Sequence, residues 1–189
     1  MRTIIFEGIA TSGKTSIEKY LIEILNAQKV KYFFVGEDKT LMPLLYDNNE
    51  QKTVALLKEN LRLAFAQKRE VYIFDRLHIT HVLRTKVGME KFEEIEKELV
   101  SHNPILILLK INEDKIPERV LWAMENREPD WVRHARVYGD NQQIFQHYID
   151  QQRELDAVIN ATTLPHRVIE TSRMNFKEIA EDIYKTYCL

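Results

Sequence analysis

Cysteine is nearly absent: of 189 residues, only Cys188 carries a thiol. That rules out a disulfide framework and a thiolate metal cage, and it suits a reducing, cytoplasmic setting. A basic excess is also missing. Lys and Arg total 27 against 29 Asp and Glu, for a net charge of -2 and a pI near 6.3, so there is little field to hold a long nucleic acid. Long apolar runs are missing too. The longest, Pro104 to Leu109, falls far short of the roughly 20 residues a membrane-spanning helix needs, and the opening residues are broken by Glu7 before any secretory apolar stretch is complete. A soluble protein with no membrane partner is expected. There is also no repeat, low-complexity tract or Pro/Gly/Ser linker, so residues 1–189 are expected to form one domain.

What is present is an alternation of strand-like and helix-like segments. Runs rich in Ile, Val, Phe and Tyr occur at Thr3 to Phe6, Lys31 to Val35, Val71 to Phe74, Ile105 to Leu109 and Arg167 to Ile169. Their nearly continuous apolar character is that of strands covered on both faces. Between them, helical periods are predicted at about Lys14 to Gln28, Thr53 to Lys68, Met89 to Val100, Pro117 to Asn126, Asn141 to Asn160 and Asn175 to Tyr187. Asn175 with Glu178 predicts a capping box for the last helix, and Pro117 suits a first turn. The expected fold class is α/β, a five-stranded parallel sheet with helices on both faces.

One segment carries an explicit chemical instruction. Gly8-Ile9-Ala10-Thr11-Ser12-Gly13-Lys14-Thr15 has the spacing of a phosphate-binding loop between a strand and a helix. The glycines allow a tight turn in which backbone N–H groups face phosphate oxygens, and the helix start adds its positive end. Lys14 is expected at the β and γ phosphates, and Thr15 on a Mg²⁺ that bridges them, with Ser16 extending the helix start. ATP is the expected nucleotide. At the tip of the third strand stands Asp75, where ligands gather in open parallel sheets and where a carboxylate can orient Mg²⁺. Arg76 follows it, suited to gripping an acceptor phosphate or hydroxyl or to holding a carboxylate. The plainer alternative makes Asp75 a helix cap and Arg76 a surface residue.

Taken together, Ile5-Phe6-Glu7-Gly8 leading into Gly13-Lys14-Thr15, the Phe74-Asp75-Arg76 strand end, Pro104 to Lys110 with Glu118-Arg119, and His166 to Ser172 followed by Glu178-Ile179 resemble the thymidylate kinase and deoxynucleoside kinase family of P-loop kinases. The resemblance spans most of the chain. It implies a lid at about residues 125–139 whose arginines, Arg127, Arg133 and Arg136, are candidates to offset charge on the transferring phosphoryl group; the other reading leaves them on a solvated helix face. It also implies that the loop after the last strand borders the adenine; Arg119, beside the lid arginines, is read equally as scaffold. Glu37 resembles the family's glutamate base in place, but Gly36-Glu37-Asp38-Lys39 lacks the proline that accompanies it, so a turn acid is the competing reading. About 35 residues separate Val35 from Val71, fewer than the family leads one to expect, which implies a reduced acceptor region.

Other residues carry less. His78 and His81 lack a third ligand and are read as local hydrogen-bonding groups. Trp122, Trp131 and the tyrosines are read as packing. Val54, Leu57, Leu61 and Phe65 make an apolar face that is ordinary core, or also a homodimer contact as in dimeric kinases. The expected function is therefore transfer of the ATP γ-phosphoryl group to a nucleoside or nucleoside monophosphate. The alternatives are a nucleotide-binding regulatory protein without turnover and a kinase of another small metabolite.

Overall fold

The computed structural model describes residues 1–189. Five strands form one parallel sheet: β1 (Arg2–Glu7), β2 (Tyr32–Val35), β3 (Val71–Asp75), β4 (Pro104–Lys110) and β5 (His166–Glu170), in the spatial order β2-β3-β1-β4-β5. β1 lies at the centre, with Ile4 opposite Ile73 on one side and Ile105 on the other. The chain leaves β1 for one side of the sheet and later crosses to the other side with β4. The carboxyl ends of β1 and β3 therefore flank a crevice of the kind in which open α/β sheets bind ligands.

Alternate side chains point to opposite faces, which divides the core into two layers. Ile4, Phe6, Ile73, Ile107 and Leu109 pack under α1 (Lys14–Ala27) and α9 (Phe176–Tyr187). On the other face, Ile5, Tyr72, Phe74, Leu106 and Leu108 pack against α3 (Glu50–Phe65), α4 (His78–Thr85), α5 (Glu93–Val100), α6 (Ile116–Asn126) and α8 (Asn141–Ile159). Ile17, Leu21 and Leu25 hold α1 down, each fully buried and each contributing roughly 2 kcal/mol of transfer free energy. Leu57 and Leu61 are likewise fully buried within this chain, as the core reading requires.

Two further helices complete the fold: the single turn α2 (Glu37–Thr40) and α7 (Pro129–Arg136). Neither these nor α4 were foreseen. The histidines of α4 are buried, so its polar letters conceal an inward face. The expected helix from Met89 to Val100 divides into a 3-10 turn, Met89–Phe92, and α5. α3 begins earlier than its apolar period because Asn49 caps it, accepting a bond from Lys52 N at 2.9 Å. The capping box expected at Asn175 does not form: its Nδ2 donates directly to Glu178 Oε2 at 2.8 Å, and no backbone N–H is capped by it. A capping box does form at α8, between Asp140 and Gln143. No helix is long and apolar enough to cross a membrane.

Candidate functional site

Beyond Glu7 the chain turns through Gly8 to Gly13 and enters α1. Gly8 has φ 146° and Gly13 φ 92°, conformations that side-chain-bearing residues rarely adopt. Space demands glycine as well. A Cβ on Gly8 would sit 2.7 Å from the Leu109 carbonyl oxygen, and one on Gly13 would sit 2.4 Å from the Phe176 ring. Ser12 N donates to Ile9 O at 3.1 Å. Thr171, just past β5, donates to Ser12 O at 2.9 Å and lies 3.0 Å from Lys110 O, which ties the loop to the sheet. Ile9 is fully buried in the core and Ala10 packs against it. The hydroxyls of Thr11 and Ser12 are buried without a partner.

The amides of Gly13, Lys14, Thr15 and Ser16 find no backbone acceptor in the chain. Clustered at a helix start, they are oriented donors with a positive dipole behind them, a ready seat for phosphate. Lys14 folds back over this seat, donating to Gly8 O at 2.9 Å and Ile9 O at 3.1 Å. Burial, followed by the repulsion of Arg76, brings its pKa down to about 8.

Facing the loop is the end of β3. Asp75 is buried and its Oδ1 has no hydrogen-bond partner; burial holds its carboxyl above the usual range despite Lys14 and Arg76. Arg76 adopts φ 61°, a strained backbone for a residue with a side chain. Arg76 N donates to Phe6 O at 2.9 Å, and the chain beyond is fixed by Glu7. That buried carboxylate accepts from Leu77 N at 2.8 Å, from Thr80 N and from the Thr80 hydroxyl, while Arg76 Nη1 donates to the same hydroxyl at 3.2 Å. The guanidinium is thereby aimed at Glu37, with Nε 3.4 Å from Oε2. Burial would raise the Glu37 pKa, but Arg76 and Lys14 outweigh it and hold the carboxyl below its ordinary value.

A pocket of about 110 Å³ has Ala10, Gly13, Lys14, Thr15, Ser16, Glu37, Arg76, Arg127 and Trp131 on its walls; Asp75 is buried and is not among them. A larger groove, lined by Arg2, Val71 and Cys188, lies at the amino ends of the strands, remote from every charged group just described. Of the three arginines expected in a lid, Arg127 reaches the loop: its Nη2 donates to Ala10 O at 2.8 Å and its guanidinium stacks 5.0 Å from the Trp131 ring. Arg133 is exposed and paired with Asp130, and Arg136 donates to Asn141 Oδ1 at 2.8 Å. Neither joins the pocket in this conformation. Arg119 lies on the opposite side of the loop, donating to Thr171 O at 3.2 Å and stacked 5.4 Å from Phe176.

His78 and His81 prove to be local hydrogen-bonding groups. His78 meets Glu96 at 3.0 Å. His81 donates from Nε2 to Thr40 O at 2.8 Å and accepts from Arg84, and its burial lowers the pKa to about 4. No group of three or more His, Cys, Asp or Glu is placed to hold a metal by itself. What is available for Mg²⁺ is a hard-oxygen set, the Thr15 hydroxyl and the orphaned Asp75 carboxylate, which fits an ion that keeps several waters and takes the rest of its shell from phosphates.

Glu18 escaped the sequence reading, and Glu7 and Thr171 stood in it only as letters of longer motifs, with no role of their own. Glu18 follows Lys14 by one helical turn on the face that also buries Leu21 and Leu25. A single acid in that apolar stripe was the available signal. Burial, then the nearby Asp75 charge, pushes its carboxyl up to about 8.

No family model matches the chain, and no curated protein matches it. Among solved structures, the YorR protein from Bacillus subtilis, in complex with phosphorylated GDP, is similar with a TM-score of 0.70 at 17% identity, over 97% of this chain and 94% of that one. At that identity the likeness is one of fold: an α/β fold built on a parallel five-stranded sheet.

Proposed function

We propose that the chain is an ATP- and Mg²⁺-dependent phosphotransferase that moves the γ-phosphoryl group to a nucleoside or nucleoside monophosphate, resembling thymidylate kinase, with residues 1–189 as one domain and a lid at about 125–139. The observation that carries this reading is the facing arrangement of two half-sites across one small pocket. On one wall are the free amides of the loop with Lys14 and Thr15; on the other are Glu37 and Arg76. A triphosphate tail on the first wall displaces the Lys14 ammonium from the loop carbonyls onto phosphate oxygens. The base of the nucleotide then lies towards Arg119 and the turn after Thr171.

Thr15 and Asp75 would hold Mg²⁺, which supplies positive charge at the β and γ phosphates. Glu37 accepts the proton of the attacking hydroxyl when the acceptor is a nucleoside, or orients the acceptor when it is a monophosphate. Arg76 keeps Glu37 ionised and in place. Arg127, carried by the lid and already beside Ala10, offsets charge on the group in transfer, and the Trp131 face fixes its guanidinium plane.

The test is incubation of the pure protein with Mg-ATP and a panel of nucleosides and monophosphates while ADP is followed. Because the similar structure holds a guanine nucleotide, guanosine and GMP belong in that panel. Acceptor-dependent ADP that disappears in Lys14→Ala is expected. Tight ATP binding with no acceptor-dependent ADP across the panel would count against this reading, and slow acceptor-independent hydrolysis together with a protein partner found by pull-down would favour the regulatory alternative.

A further inference from the structure

Glu18 is buried to 3% exposure, its Oε1 has no hydrogen-bond partner, and it takes part in no ion pair in this chain. A carboxylate in that condition is costly, and packing alone would be served better by an apolar side chain at the same helix position. The obvious cation, Lys14, is one turn away, but its ammonium is engaged by Gly8 O and Ile9 O. The charges that do act on Glu18 are those of the site: Asp75, Lys14, Glu37 and Arg76. Glu18 also follows Thr15 by three residues, so the two are neighbours along α1, Thr15 exposed and Glu18 buried. Asp75, whose charge acts on Glu18, carries another buried oxygen without a partner.

Resting on the reading that Thr15 and Asp75 hold Mg²⁺, we infer that Glu18 is a further carboxylate of that cation's outer shell, a positioning residue that would accept hydrogen bonds from the ion's waters. The donor chemistry is suitable, since Mg²⁺ retains waters and those waters need acceptors. This role also accounts for the missing protein partner: the partner is the hydrated ion. It is compatible with the absence of a three-residue metal cluster, because an outer-shell carboxylate need not approach the others closely.

The experiment measures Mn²⁺, standing in for Mg²⁺, by electron paramagnetic resonance on the full chain with a non-hydrolysable ATP analogue. Wild type is compared with Glu18→Gln, Glu18→Asp and Asp75→Asn. Glu18→Gln should weaken Mn²⁺ binding by ~10-fold or more, the range found for outer-shell partners. Binding of the analogue in EDTA should be unchanged, and the melting temperature of the ligand-free protein should stay level or rise. A merely structural acid would give the reverse, a lower melting temperature with metal affinity intact. Glu18→Asp keeps the charge and should give a smaller loss, which preserves the test if the glutamine variant fails to fold. Wild-type Mn²⁺ affinity in both Glu18 variants, with Asp75→Asn weakened, would overturn this inference and leave the proposed function standing. No loss in Asp75→Asn would remove the metal site itself, and this inference with it.

Discussion

Gly13 offers the sharpest quantitative test of the phosphate loop, because two separable effects forbid a side chain there. Its φ of 92° strains any L-residue by ~1 kcal/mol or more. Its Cβ would also fall 2.4 Å from Cε1 and 2.8 Å from Cζ of Phe176, so the ring must move out of its packing beside Arg119. Displacing a partly buried aromatic adds about 1–3 kcal/mol, as overpacking does. Gly13→Ala is therefore expected to destabilise by ~2–4 kcal/mol, but by only ~1 kcal/mol in a Phe176→Ala background, where the strain remains and the clash is gone. The coupling energy, at least ~1 kcal/mol, is read from urea unfolding of the four proteins in a double-mutant cycle. Gly8 supplies the control. A Cβ there meets both Ser12 Oγ at 2.6 Å and the Leu109 carbonyl oxygen at 2.7 Å; the second is backbone, so Ser12→Ala should not rescue Gly8→Ala. Additive effects of Gly13→Ala and Phe176→Ala, within about 0.5 kcal/mol, would refute the reasoning.

Three other outcomes are expected. Glu37→Gln should lower kcat by ~10²–10⁴ if the glutamate is the base, with little change in ATP binding; because Arg76 and Lys14 outweigh burial and hold its pKa below the ordinary value, the acid limb of kcat/KM that this variant removes should lie below the usual carboxylate range, beneath any limb from Asp75, whose carboxyl is held above it. Arg127→Ala should cost ~10³ in kcat, while Arg133→Ala and Arg136→Ala, whose guanidiniums point elsewhere, cost much less; equal losses would reassign the lid. Glu96 is pulled down to about 2 because bonds from His78, Thr162 and Thr163 overcome its burial. Its contribution, about 3 kcal/mol, is present above the unfolded value of 4.5 and is lost as pH falls towards 2. The stability gap between wild type and Glu96→Gln should thus be largest near neutral pH and close steadily below about pH 4.5, as followed by denaturant unfolding.

The parts of the fold legible in the sequence are those fixed by local pattern. The central strands β1, β3 and β4 are marked by apolar runs that are buried on both faces, whereas the edge strands β2 and β5, expected to be covered as well, leave Phe34 and Val168 exposed; the loop is marked by the glycines that a tight turn requires, and both adopt positive φ. Asp75 was legible because a strand's last residue is fixed once the strand is known. What escaped depends on partners far along the chain. Glu7 looks like the end of an apolar run, yet its carboxylate fixes residues 77 and 80. Glu18 looks like an ordinary helical acid until the helix is laid against β3. The three lid arginines are equivalent as letters; only the packing of Arg127 on Trp131 and Ala10 separates them.

The wall between β2 and β3, from Leu41 to Asn49 with a 3-10 turn at Met42–Leu44, is held by Arg84. Its guanidinium, reaching across from α4, donates to Leu44 O at 2.6 Å, Asp47 O at 2.7 Å, Asn48 Oδ1 at 3.1 Å and Thr53 Oγ1 at 3.0 Å, and it also contacts His81. Five donors in a fixed fork can collect several carbonyls where an ammonium could not. Because His81 in turn holds Thr40 O, and the Thr40 hydroxyl bonds Asp75 O at 2.8 Å, the wall is tied back to the strand end that carries the site. A guanidinium so fully engaged has few donors left for a ligand. The cations that border the pocket are Lys14, Arg76 and Arg127, each held in this conformation by a group of the chain itself: the Gly8 and Ile9 carbonyls, Glu37 and the Ala10 carbonyl.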